Sequence, residues 1–258
     1  MLNINNTSQE KLQEKITAMR EGGKILGNLL RDLKAHVQPG MTGKDIDAWV
    51  RAEIVKRGAG VAYDMLDDDF PGAICISVND ELVHGAPKDE TLEPGDKVSF
   101  DLDIFYKGYC TDSAFTMIVP GRTNPAVKKM ISVTESSMWE GIEQVKPGAH
   151  IGDISAAVEK VLRRGHLGVI ENYVGHGIDV EMHDKPEVPN YGKKGHGYKL
   201  VEGDTICIEP MSCLGKPANV TDRDDHWTVR MKDGSIACHC EHTILVTKDG
   251  YEVLTLPD

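Results

Sequence analysis

The stretch Val37-Gln38-Pro39-Gly40, followed by Asp45-Ile46-x-Ala48-x-Val50, returns 108 residues later. There it reads Val145-Lys146-Pro147-Gly148, followed by Asp153-Ile154-x-Ala156-x-Val158. Further along, Gly95-Asp96-x-Val98-x-Phe100-Asp101 matches Gly203-Asp204-x-Ile206-x-Ile208-Glu209 in the same register. Either match alone would pass as coincidence between short apolar patterns, but two in one register, far apart, point to duplication. Solenoids repeat every 20 to 50 residues and need several units, so two copies at this period predict a pseudo-symmetric arrangement around one shared core. The expected organisation is a single domain over 1–258 built of two related halves, about 8–120 and 121–250.

Each half opens with helices. Leu12, Ile16, Met19, Ile25, Leu29, Leu30 and Leu33 recur near helical spacing over 8–37, with Gly22-Gly23 a place where that helix could bend. Thr42 is a plausible N-cap for a second helix running to Arg57, and Gly58 a plausible end. Residues 124–145 and 152–164 repeat the scheme, closed by Gly165. Strand patterns follow at 73–78, 97–105 and 109–119, then at 168–173, 205–209 and 235–247. Helices first and hairpins after predict an α+β fold with an antiparallel sheet covered by helices.

Over its 258 residues the chain carries 29 basic and 41 acidic side chains, a formal charge of −12, and no Lys/Arg block, which argues against a nucleic-acid-binding surface. No stretch approaches a membrane span, and the polar start Met1-Leu2-Asn3-Ile4-Asn5-Asn6 lacks a signal peptide's apolar segment. The cytoplasm is therefore the expected location. Six scattered cysteines without CxxC spacing suit reduced thiols.

The chemistry concentrates in the first hairpin. Between Val98 and Phe105 alternation puts Val98, Phe100, Leu102 and Ile104 on one face and Asp101 and Asp103 on the other. With Lys107-Gly108 as the turn, Asp103 lies opposite Asp112 and Asp101 sits diagonally beside them. Two charges about 4 Å apart repel by roughly 4 kcal/mol at an effective dielectric of about 20. A solvated acidic face would account for this hairpin alone. The duplicate shifts the balance: Glu209 occupies the position of Asp101 in the second copy, and Glu241 can partner it. A pseudo-two-fold axis could gather four carboxylates, a charge that two divalent cations would offset. In Cys238-His239-Cys240-Glu241-His242 the thiols fall on the face opposite Glu241, as core rather than ligands. His84 before Gly85, His176 between Gly175 and Gly177, and His183 stand apart from the other histidines, the flanking glycines allowing close approach of backbone to a ligand.

These motifs resemble the methionine aminopeptidases of the short bacterial type I form, within the pita-bread metallopeptidases. The resemblance rests on Ser77-Val78-Asn79-Asp80-Glu81-Leu82-Val83-His84-Gly85, on Asp101 and Asp112, on Gly175-His176-Gly177 with His183, on Ile208-Glu209-Pro210-Met211, and on Glu241-His242-Thr243. It implies the pseudo-symmetric pita-bread α+β fold and hydrolysis of an N-terminal methionine ahead of a small second residue, through a hydroxide bridging two metals. The implied cofactors are two divalent ions, Co, Mn, Fe or Zn, held by Asp101, Asp112, His176, Glu209 and Glu241. Glu209 would also act as proton acceptor, with His84 and His183 contacting substrate. Cys75, Met182, Trp227 and Phe70 would line the methionine pocket. The implied partners are nascent polypeptide N-termini near the ribosome, met by a monomer that binds neither nucleic acid nor membrane.

Three positions depart from the family pattern: Met182 where an aromatic residue is usual, Asp67-Asp68-Asp69-Phe70 in place of an aromatic-rich stretch, and Asp179 where glycine is common. All three bear on the expected pocket, none on the ligands. The segment 211–232, with its run Thr221-Asp222-Arg223-Asp224-Asp225-His226, has no counterpart in the first half and reads as an insertion carrying a solvated loop. A proline-specific peptidase on the same fold and a non-catalytic binding module on that scaffold are the competing readings.

Overall fold

The computed structural model describes residues 4–65, 69–222 and 224–258. In chain order the helices are α1 (Ile4–His36), α2 (Gly43–Lys56), α3 (Ala62–Met65), α4 (Pro125–Ile142) and α5 (Ile151–Arg164). The strands are β1 (Gly60–Val61), β2 (Cys75–Val78), β3 (Glu81–Val83), β4 (Lys97–Tyr106), β5 (Tyr109–Ile118), β6 (Gly168–Val169), β7 (Gly175–Gly177) and β8 (Asp184–Val188). They continue with β9 (Thr205–Ile208), β10 (Met211–Cys213), β11 (Asn219–Thr221), β12 (Val229–Met231), β13 (Ala237–His239), β14 (Glu241–Val246) and β15 (Tyr251–Val253).

The capping reading holds where side chains dictate it. Thr42 accepts from the Asp45 amide and the Asp45 carboxylate accepts in return from the Thr42 amide, closing a capping box at the start of α2. Asn124 caps α4, with Pro125 at its first position. The Gly22-Gly23 pair does not interrupt α1, which runs continuously from Ile4 to His36. Glycines of α1 instead let the C-terminal segment press onto the helix: a Cβ on Gly23 would lie 2.4 Å from the Leu254 carbonyl oxygen, and one on Gly27 2.5 Å from that of Thr255. Gly27→Ala should therefore cost about 1–3 kcal/mol of overpacking despite alanine's better helix propensity. The expected result is a thermal midpoint several degrees lower; an unchanged midpoint would refute the close-packing account.

The main sheet is nine-stranded, ordered β1-β4-β5-β14-β9-β7-β8, with β2 also pairing β4 and β15 pairing β14. In its centre the β4–β5 hairpin meets the β14–β9 pair along the β5·β14 seam, where Glu241 lies opposite Ala114. Apolar residues of each half build a core. One gathers Phe100, Leu102 and Ile104 with Leu26, Leu29 and Leu33 of α1; the other gathers Ile206, Ile208 and Ile244 with Ile154 and Val158 of α5. By strand alternation Asp101 and Asp103 leave the sheet on the face opposite Phe100, Leu102 and Ile104, where they share a cavity with Asp112 and Glu241.

Two strand expectations are revised. Of 168–173, Gly168–Val169 forms a strand, and 235–247 divides at Cys240 into β13 and β14, which join different sheets. The segment 211–232 is also more than a loop, because β11 and β12 form a small sheet with β3.

Candidate metal centre and substrate cavity

Lys107 and Gly108 take positive φ values of 50° and 92°, the geometry of a tight two-residue hairpin turn. That turn sets the register in which Asp103 faces Asp112 and Asp101 faces Ala114. Because Glu241 faces Ala114 from the other side, Asp101 and Glu241 flank the same position across three adjacent strands. Glu209 follows directly on β9, and β7 brings His176 alongside through the Gly177–Ile206 pairing. The glycines around His176 serve the sheet rather than a ligand: a Cβ on Gly175 would sit 2.3 Å from the Cys207 carbonyl oxygen, and one on Gly177 2.2 Å from that of Lys185. Gly85 likewise lies against the Ile76 carbonyl. They permit close strand approach, which in turn delivers the histidines.

The residues expected as ligands converge. His176 Nε2 lies 3.6 Å from Glu209 Oε1, 3.7 Å from Asp112 Oδ2 and 3.9 Å from Glu241 Oε1. Its Nδ1 donates to the Gly177 carbonyl at 3.0 Å, which turns Nε2 toward the carboxylates. Asp112 belongs to two sets whose ligand atoms lie within 4.8 Å of one another, Asp101/Asp103/Asp112 and Asp112/His176/Cys207/Glu241. Burial, followed by the neighbouring carboxylates, drives the carboxyls of Asp103, Glu209 and Glu241 well above their ordinary range, and raises that of Asp112. Asp101 runs the other way: burial pushes it up, but His239 and His84 more than offset that and hold it lowered.

Does this arrangement fit metal ions? Asp101 Oδ1, Asp103 Oδ1, Asp112 Oδ1 and Glu241 Oε1 are buried without a hydrogen-bond partner among the described residues. Leaving such groups unpaired is costly, and crowded carboxylates add repulsion. Cations placed among them would satisfy both, so the residues fit. Cys207 is a weak member of its set, since burial and then Glu241 and Asp112 keep its thiol protonated. The remaining carboxylate-rich donors with one imidazole suit Mn, Fe, Co or Zn.

A cavity opens above the carboxylates, lined by Tyr63, Phe70, Cys75, Val83, His84, Met182, His183 and Trp227. Every residue expected in the pocket is there. Trp227 meets Phe70 edge to face at 5.4 Å, and Phe70 meets Tyr63 at 4.7 Å. The His183 ring stands 4.4 Å from that of His176, and burial, then His176 and His84, lower its pKa to about 4, so it is a neutral imidazole at neutral pH. His84 adopts a positive φ of 56° and meets Tyr173 edge to face. Asp179 is not part of the cavity: its carboxylate takes Lys15 at 2.5 Å, fastening α1. Asp69 is exposed, while Asp67 and Asp68 lie outside the described residues. The run around Asp222 is not simply solvated either. Asp222 accepts from Arg230 Nε, and Asp225 accepts from the Trp227 and Thr228 amides, which anchors Trp227.

Three residues at the site escaped the sequence reading. Asp103 was visible as a crowding neighbour but not as a ligand candidate. Tyr63 donates to Asp103 Oδ2 at 3.5 Å, from a helix of four residues with no strong pattern. His239 is fully buried, with Nε2 3.4 Å from Asp101 Oδ2 at an angle short of a full hydrogen bond. The alternation that sends Cys238 and Cys240 to the core puts His239 on the face of Glu241, a signal that was available.

A family model described as metallopeptidase family M24 matches residues 17–248, and the chain belongs to that family. Its relatives there include methionine aminopeptidases. It is 40% identical over 245 residues to the methionine aminopeptidase of Mycoplasma capricolum, covering 95% of this chain and 97% of the relative. The crystal structure of methionine aminopeptidase from Rickettsia prowazekii superposes with a TM-score of 0.91 at 35% identity, covering 95% of this chain and 98% of that one. The prolidase from Pyrococcus horikoshii shares the fold at a TM-score of 0.73 and 22% identity, this chain covering 62% of it. The fold is thus the pita-bread fold. Among the described residues no helix is long and apolar enough to cross a membrane.

Proposed function

We propose that this chain hydrolyses the N-terminal methionine from polypeptides whose second residue is small. The observation that carries this reading is the convergence of Asp101, Asp112, His176, Glu209 and Glu241, with unpartnered buried oxygens, beneath an apolar cavity. Those five side chains would hold two divalent ions, Co, Mn, Fe or Zn, with Asp103 beside them. When bound, the ions supply Lewis acidity at the scissile carbonyl and a nucleophile at neutral pH.

The chain's own residues do the rest. Met182, Phe70, Trp227 and Cys75 present an apolar surface suited to an unbranched thioether. His183, neutral, can donate to the oxygen that gains charge as water adds, and His84 faces the same space to hold the peptide. Glu209 would take the proton released and hand it to the departing amine. His239 sets its Nε2 3.4 Å from Asp101 Oδ2, close enough to bias how that carboxylate meets an ion. His239→Ala should weaken metal binding about 10- to 100-fold, as read by calorimetric titration, and unchanged affinity would remove His239 from the centre.

The working unit is one catalytic domain of two related halves, acting as a monomer in the cytoplasm on nascent polypeptide N-termini near the ribosome. Met-Ala-Ser and Xaa-Pro peptides assayed with added Mn or Co test the activity. Release of methionine from the first is expected; cleavage of the second alone would transfer the chain to the proline-specific reading, and metal-loaded protein that turns over neither would leave a binding module.

A further inference from the structure

Lys97 is among the largest fully buried side chains of the described residues, and the one charged group in that company. It opens β4, on the same face as Asp101 but at the far end of the strand. Its ammonium donates to two main-chain carbonyls, Ser77 O and Glu81 O, each at 3.0 Å. Among the described residues no carboxylate lies within ion-pair distance of it. Glu81 spends its own carboxylate on Lys88, Arg230 and the Val78 amide. Burial lowers the Lys97 pKa to about 8, so the charge persists at neutral pH. A methionine would fill the volume of the stem, ending one atom short of the ammonium, without the desolvation penalty of a buried cation.

The two carbonyls flank Asn79-Asp80, the turn that joins β2 to β3, where Asn79 has a φ of 52°. Ser77 ties this turn to the cavity wall. Its carbonyl accepts from Lys97, while its hydroxyl accepts from the Gly85 amide at 3.1 Å, and the Gly85 carbonyl accepts from the Ile76 amide at 2.8 Å. Gly85 immediately follows His84. The chain of contacts therefore runs from the ammonium through Ser77 to the backbone that presents His84 to the cavity.

We infer that Lys97 is a positioning residue: an internal cation that clamps the β2–β3 hairpin and so holds His84 over the metal centre. The inference rests on the reading of His84 as a substrate-contacting group. In Lys97→Met the two carbonyls would face a gap of ammonium size, which a small monovalent cation can enter.

With metal-loaded K97M in choline chloride, kcat on Met-Ala-Ser should fall about 10²-fold, the scale expected of a displaced catalytic group, while metal content is retained. Ammonium or potassium chloride at the same ionic strength should restore most of it and leave the wild-type enzyme unaffected. Hydrogen exchange at the Asn79 and Gly85 amides should quicken in K97M and slow again with ammonium. A kcat within twofold of wild type in choline, or a loss equal in all three salts, would overturn the inference. Should K97M not fold, Ser77→Ala decides, since it keeps the carbonyl but cuts the link to Gly85: a lowered kcat with normal metal content supports the clamp, and a wild-type kcat sinks it. If wild-type protein turns over no methionyl peptide, the activity reading has failed, and the exchange measurement still judges Lys97.

Discussion

Asp112→Ala will lose bound metal and at least about a thousandfold in turnover. Asp112 alone belongs to both sets of close ligand atoms, with Asp101 and Asp103 on one side and with His176, Cys207 and Glu241 on the other. Removing it takes a donor from each. The Lewis acidity of bound ions amounts to several kcal/mol at the transition state, and each 1.4 kcal/mol or so is tenfold in rate. The fold should survive, because the lost side chain is a buried carboxyl whose pKa is raised by burial and by Asp101, and its removal relieves repulsion in the metal-free state. Elemental analysis, peptide turnover and a thermal melt check the three parts together. A variant that keeps both ions and acts within tenfold of wild type would remove Asp112 from the mechanism.

Stripping the metal with a chelator should lower the thermal midpoint on the order of 10 °C. Saturation a thousandfold above Kd contributes about 4 kcal/mol, and a chain of this size shifts by about 2–4 °C per kcal/mol. The effect has a pH signature whose sign follows from the raised carboxyls of Asp103, Asp112, Glu209 and Glu241. In the metal-free protein each binds protons more tightly folded than unfolded. The stability this confers is present below the ordinary carboxyl pKa and is lost as pH rises through the folded one. Metal binding requires those groups ionised and expels their protons, so affinity climbs with pH. The gap between loaded and stripped midpoints should widen from about pH 5 to about pH 8. Equal midpoints, or a gap that narrows over that range, would show that the carboxylates hold no ion in common.

Features that depend on neighbours in the chain were legible from residue types. Thr42 and Asp45 define a helix start because capping is local, and Lys107-Gly108 defines the hairpin register because only certain residues tolerate positive φ. From that register the crowding of Asp101, Asp103 and Asp112 followed. The duplication went further and paired Glu209 with Asp101 across the molecule. Residue-by-residue likeness to known peptidases, rather than spacing, singled out His176 as the lone imidazole among the proposed ligands, along with the pocket around Trp227.

Where those readings failed, the missing information was always a partner remote in sequence. Gly22-Gly23 looked like a bend until Leu254 was seen against Gly23. Asp179, a departure expected to bear on the pocket's shape, pairs instead with Lys15 of the first helix. His239 could be given a face by alternation, but its relation to Asp101 depends on β13 leaving the strand that continues as β14. Lys97 carries no sequence signal at all, since a lysine opening a strand is ordinarily solvated. The acidic hairpin and its turn were thus legible in the sequence alone, because backbone sterics and alternation act over a few residues. The meeting of β5 with β14, the burial that raises the carboxyls, and the cavity above them arise only when distant strands pack, since desolvation and charge repulsion depend on distance through space rather than along the chain.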